Sequence, residues 1–359
     1  MEMIPLYKPY MPKELPELDS ILHSDALAYG KWGRLFEEKL TEFIGNKLIT
    51  VVNSYNSAML VALTVIGIKP GDEIIASPMS CLASNQPFAT QGTKVVWADI
   101  DPSTGTLSPD SIRSKITSKT KAIFHNHFCG YVGYIDEINA IGKENGIIVI
   151  DDAIEAFGSE YKGRMIGNAG TDLTVFSFQT VRLPNTVDGG AIAFNNNELY
   201  QKALLIRDYG IDRRDFRNSD GEINSTCDIS IPGYGATLNE ICSYIGCMQL
   251  EHVNKLISLQ RNNAEKWKNK IQIEYPTFKL LGTRKEQKPN YWIFGILTSD
   301  KVKLLKHFRD KGYYASSVHL PNNFYSVFEN ICELSGVTEF YSKFLALPCG
   351  WWFSKIDTF

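Results

Sequence analysis

The chain has 359 residues, with 37 Lys and Arg against 40 Asp and Glu, a formal net charge of −3. Hydrophobic residues make up 44% and charged residues 21%, which excludes a disordered or fibrous chain. Balanced charge argues against nucleic acid or an acidic membrane as partner. Without an apolar run of about 18 residues, or a basic-then-apolar start, neither a spanning helix nor a signal peptide is expected. The expectation is a soluble, cytoplasmic protein.

Seven short, β-branched runs recur over the first two thirds, at 48–53, 73–77, 94–98, 121–125, 147–151, 173–177 and 190–194. Their hydrophobicity is continuous rather than alternating, which predicts strands covered on both faces in a mainly parallel sheet. Between them Met59, Leu60, Leu63 and Ile66, and later Ile135, Ile138 and Ile141, keep a helical period. The predicted fold is α/β, a three-layer sandwich around a seven-stranded sheet. Further on, Thr237-Leu238-Asn239-Glu240 has capping-box spacing. Ile241, Ile245, Met248, Val253, Leu256 and Ile257 then predict a long helix to about residue 270. It leads into a smaller α+β unit with a strand at 291–297 and a helix at 302–310. The expected division is a large domain over 1–240, and a bridging helix with a small domain over 241–359.

Seven cysteines without a CxxC pair fit reduced thiols better than disulfides or a structural zinc site. Of the six histidines only His125 and His127 lie close together, so no metal site is expected.

Three segments carry candidate chemistry. The first strand runs through Asn53-Ser54-Tyr55-Asn56-Ser57-Ala58 straight into a helix, where small polar residues and free amides suit a phosphate or simply cap the helix. The fifth strand ends in Asp151-Asp152-Ala153-Ile154-Glu155, carboxylates at the edge where α/β sheets hold ligands. Asp152 either caps a helix or pairs with a protonated ring nitrogen, which would make a heteroaromatic cofactor a better electron sink. The sixth strand runs into Phe176-Ser177-Phe178 and, past Arg182, to Asp188-Gly189-Gly190, where the glycines allow close backbone approach. The dinucleotide fingerprint GxGxxG and the phosphate loop GxxxxGK[ST] are both absent.

Taken with Gly71-Asp72-Glu73, Ala98-Asp99-Ile100-Asp101-Pro102 and Leu347-Pro348, these segments resemble the DegT/StrS-type nucleotide-sugar aminotransferases. The resemblance spans nearly the whole chain. It implies the pyridoxal-phosphate transferase fold of type I, with pyridoxal 5'-phosphate as cofactor. It also implies glutamate as amino donor and a homodimer whose sites are built from two subunits. Asn56, Ser57 and Ser177 would hold the cofactor phosphate, Asp152 the ring nitrogen, and Glu155 would lie near the ring hydroxyl. Cys81 falls where the family places an aromatic that stacks on the ring, and Gly235 where many relatives carry asparagine.

The largest departure is Arg182, which aligns with the lysine that bonds covalently to the cofactor and moves the proton. Arginine keeps the charge, but a guanidinium is delocalised and holds its proton, so it is neither nucleophile nor useful base. The chain as written is therefore expected to be nearly inactive in transamination. Three origins stay open: an introduced Lys→Arg change, a naturally lysine-free deoxysugar dehydratase, or a natural binding pseudoenzyme. The resemblance implies a parent reaction on a nucleotide-linked 4-keto-6-deoxyhexose, with dTDP as the expected nucleotide and surface polysaccharide as destination. His319, in Ser317-Val318-His319-Leu320, is either a sugar contact or a buried structural histidine.

Overall fold

The computed structural model describes residues 3–329 and 332–355. Seven strands form one sheet: β1 (Ile49–Val52), β2 (Glu73–Ala76), β3 (Lys94–Trp97), β4 (Thr120–Asn126), β5 (Ile148–Asp152), β6 (Leu173–Ser177) and β7 (Gly190–Phe194). Their order is β1-β7-β6-β5-β4-β2-β3. Only β7 runs against its neighbours, so the carboxyl ends of the other six share one edge. Continuous hydrophobicity has the expected cause: residues of β1, β2, β6 and β7 are buried on both faces, and exposed Lys94 marks the edge strand β3. Gly190 is required by contact. A Cβ there would lie 2.9 Å from the carbonyl oxygens of both Phe176 and Ser54, closer than the wedging of β7 between β6 and β1 allows.

Helices cover both faces, among them α1 (Lys31–Ile44) and α2 (Tyr55–Val65). The bridging helix, α3 (Glu240–Glu274), is longer than predicted at its far end and differs at its start. Its cap is Asn239, whose side chain accepts from the Cys242 N–H at 2.8 Å. Glu240 does not complete a capping box. Its carboxylate instead accepts from the N–H groups of Gly30, Trp32 and Gly33 at 2.9–3.0 Å. The reason lies in α1, which begins at Gly30 and has no side chain of its own to satisfy its first donors.

Toward its C-terminus α3 presents Trp267 and Ile271 to a small antiparallel sheet of β8 (Lys279–Leu280), β9 (Phe294–Leu297) and β10 (Phe344–Leu347). The Trp267 indole N–H donates to the Pro348 carbonyl at 2.8 Å. The predicted strand at 291–297 starts only at Phe294, because Tyr291 turns the backbone to a φ of 54°. The predicted helix at 302–310 is Lys301–Asp310. All seven cysteines are free thiols. Among the described residues no helix is long and apolar enough to cross a membrane.

Glu240→Ala leaves three donors of α1 unpaired and should cost about 2–3 kcal/mol of folding stability. Urea unfolding of the purified variant measures it.

Candidate active site

The site is built on the carboxyl end of β5. Successive residues of a strand face opposite sides, so Asp151 and Asp152 part company. Asp151 turns toward His125, whose Nδ1 lies 2.9 Å from Oδ1, and toward His127, whose Nε2 lies 3.4 Å from Oδ2. Burial alone would raise the Asp151 pKa, but the two imidazoles hold it below the usual carboxylate range. Burial pushes the His125 pKa down.

Asp152 faces the other way. Its Oδ1 accepts from the Tyr55 hydroxyl at 2.9 Å and from the Ile154 N–H at 3.1 Å, and Oδ2 lies 3.4 Å from the Ser80 hydroxyl. Burial raises its pKa against the pull of these donors.

Three residues on, Glu155 is the second buried carboxylate. The Arg182 guanidinium, 3.4 Å away, and the His319 Nε2, 3.0 Å away, share its Oε1. Its Oε2 accepts from the Cys129 N–H at 2.9 Å. Burial opposes ionisation, but His319, Arg182 and the Cys129 N–H outweigh it and lower the Glu155 pKa. Arg182 is only 7% exposed, and its guanidinium lies over the Trp292 ring at 4.7 Å. Its Nε–H is buried without a hydrogen-bond partner.

Asp152, Glu155, Arg182 and His319 therefore converge, and Ser177 at the end of β6 lines one small cavity with Glu155, Arg182 and Trp292. Cys81 begins the helix Leu82–Thr90 and feels the charges of Glu155, Arg182 and Asp152; burial raises its thiol pKa. At the start of α2, Asn56 is exposed and Ser57 is half-buried. The Ser57 hydroxyl donates to Asn53 Oδ1 at 2.6 Å, and its amide is capped by Ser54 Oγ at 3.0 Å. The Gly235 carbonyl accepts from the Asn53 side chain at 3.1 Å. Lys162 lies on the surface, paired with Asp136.

Tyr55, Trp292 and Cys129 were not singled out by sequence reasoning. Only Tyr55 left a signal, as a large aromatic among small polar residues in a candidate phosphate-binding turn.

The profile of the DegT/DnrJ/EryC1/StrS aminotransferase family matches residues 10–355. The GDP-perosamine synthase of Escherichia coli O157:H7 is 31% identical over 319 residues, 87% of this chain and 83% of that protein. The sugar aminotransferase CalS13 from Micromonospora echinospora superposes with a TM-score of 0.90 at 26% identity, covering 98% of this chain and 95% of that one. Helicobacter pylori PseC, an aminotransferase in pseudoaminic acid biosynthesis, has a TM-score of 0.85 at 28% identity, with 98% and 94% covered.

Aminotransferases of this family use pyridoxal phosphate. The donor set fits that group: a buried carboxylate for a ring nitrogen, and Ser177 with the α2 N-terminus for a phosphate. The unpartnered Arg182 Nε–H is a further donor suited to an anion.

Removing one partner from a buried ion pair leaves the other uncompensated, so Glu155→Ala should cost about 3 kcal/mol at neutral pH. Because the folded-state pKa of Glu155 is lowered, its contribution is full above the ordinary value of 4.5 and fades as pH falls through the depressed one. Denaturant unfolding of both forms between pH 7 and pH 3 should show the difference shrinking only at the acid end.

Proposed function

Since the chain belongs to the DegT/DnrJ/EryC1/StrS aminotransferase family, we propose as its parent reaction amino transfer from glutamate to a nucleotide-linked 4-keto-6-deoxyhexose. The product would be the 4-amino-4,6-dideoxy sugar, destined for surface polysaccharide. One observation carries the reading. A buried charged side chain, Arg182, which the sequence resemblance sets against the family's lysine, extends from the β6–β7 loop to Glu155.

Pyridoxal phosphate, when bound, supplies a carbonyl for the amine and a ring that takes up an electron pair. The chain's residues supply the rest. With the cofactor bound, Asp152 would keep a proton on the ring nitrogen, while Ser177, Asn56, Ser57 and the N-terminus of α2 would hold the phosphate. Glu155 orients whatever cation stands at position 182, and His319, on the same carboxylate, reaches toward the sugar. Arg182 can hold charge but can neither add to a carbonyl nor move a proton, so the chain as written binds without turning over. The second half of each site comes from a second copy, in a homodimer.

Two nucleotides are candidates. The sequence resemblance favours dTDP, and a relative that makes a GDP-linked sugar brings in GDP.

The test is Arg182→Lys with pyridoxal phosphate, glutamate and the 4-keto-6-deoxyhexoses of dTDP and GDP, read by mass spectrometry. The lysine form should make an aminosugar at a rate at least about 100-fold above the arginine form, the scale of a positioned acid–base group. A lysine form that retains cofactor yet aminates none of these sugars would contradict the proposal.

A further inference from the structure

Tyr55 is the first residue of α2 and is 1% exposed. Its side chain reaches from the start of α2 to the Asp152 carboxylate, where the hydroxyl donates at 2.9 Å. The Ser84 hydroxyl lies 3.3 Å from the same phenol oxygen. Burial, and then the nearness of Asp152, hold the phenol pKa well above its ordinary value, so the group stays a hydrogen-bond donor.

A phenol O–H in front of a buried carboxylate offers what a protonated pyridine nitrogen offers: one donor aimed at one oxygen. The remaining contacts of Asp152 come from the Ile154 N–H and Ser80, so its carboxylate is satisfied within the protein.

We infer that Tyr55 and the cofactor's ring nitrogen compete for Asp152, so that the cofactor is held only after the Tyr55 hydroxyl leaves the carboxylate. The inference rests on the reading of Asp152 as the ring-nitrogen partner. Tyr55 is then a positioning residue that sets cofactor affinity through Asp152. Two departures that the family resemblance marks add to this: Cys81 offers little surface for stacking, and Arg182 cannot bond covalently. Each lowers the hold on the cofactor, and the Tyr55 contact is the one that a single conservative substitution removes.

The experiment is equilibrium dialysis of the full chain, with Arg182 in place, against pyridoxamine phosphate. This amine form of the cofactor needs no lysine to bind, so turnover plays no part in the readout. Tyr55→Phe keeps the ring and its packing and removes only the hydroxyl. It should bind at least about ten-fold more tightly than the parent chain, the scale of a hydrogen bond to a charged group. Adding Asp152→Asn to that variant should abolish the gain. Affinity unchanged or weakened in Tyr55→Phe, with a further loss on Asp152→Asn, overturns the competition while leaving the role of Asp152 standing. A gain that survives Asp152→Asn overturns both. Tyr55→Leu, which also lacks the hydroxyl, repeats the test should the phenylalanine form fail to fold.

Discussion

Two carboxylates three residues apart are buried at the carboxyl end of β5, and the site is organised around satisfying them. A buried carboxylate without partners is strongly disfavoured. Asp152 is met by a phenol, a backbone N–H and a serine; Glu155 by an arginine, an imidazole and a backbone N–H. These partners come from distant parts of the chain: the start of α2, the turn after β2, the turn after β4, the β6–β7 loop and the segment before β10. Satisfying two side chains thus fixes where five segments meet. The sheet supplies the rest, since six parallel carboxyl ends on one edge bring those segments within reach of one another.

The same arrangement shows why a cation at position 182 suits the site. Arg182 and a lysine carry the same charge, and Glu155 needs a cation. The guanidinium meets that need and also lies over the Trp292 ring at 4.7 Å. A guanidinium thus answers the Glu155 carboxylate without being a nucleophile, while its Nε–H is left buried without a partner.

Much of this was legible in the sequence, for reasons that differ by element. The seven strands read clearly because buried parallel strands are apolar without interruption, and their predicted ends fall within a residue or two of those observed. Asp152, Glu155 and Ser177 stood out at strand ends on one edge, whereas Arg182 was found through the family resemblance. The part played by Glu240 was not legible: its spacing to Thr237 is that of a local cap, and its true partners lie some 200 residues earlier, at a glycine with no side chain to offer. Tyr55 escaped for a similar reason. Its neighbours spelled a phosphate turn, and nothing local shows that its hydroxyl reaches a carboxylate 97 residues away. Tyr291 ended a strand early through a backbone angle that its aromatic, β-favouring side chain gives no reason to expect.

The central claim is that the carboxyl edge of this sheet is a pyridoxal-phosphate site centred on Asp152. It is tested most directly by a crystal structure of the Arg182→Lys chain grown with the cofactor. The account predicts the ring nitrogen on the Asp152 carboxylate, the phosphate between Ser177 and the start of α2, and Tyr55 turned away from Asp152. A cofactor bound elsewhere, with the Tyr55 hydroxyl still on Asp152, would contradict it.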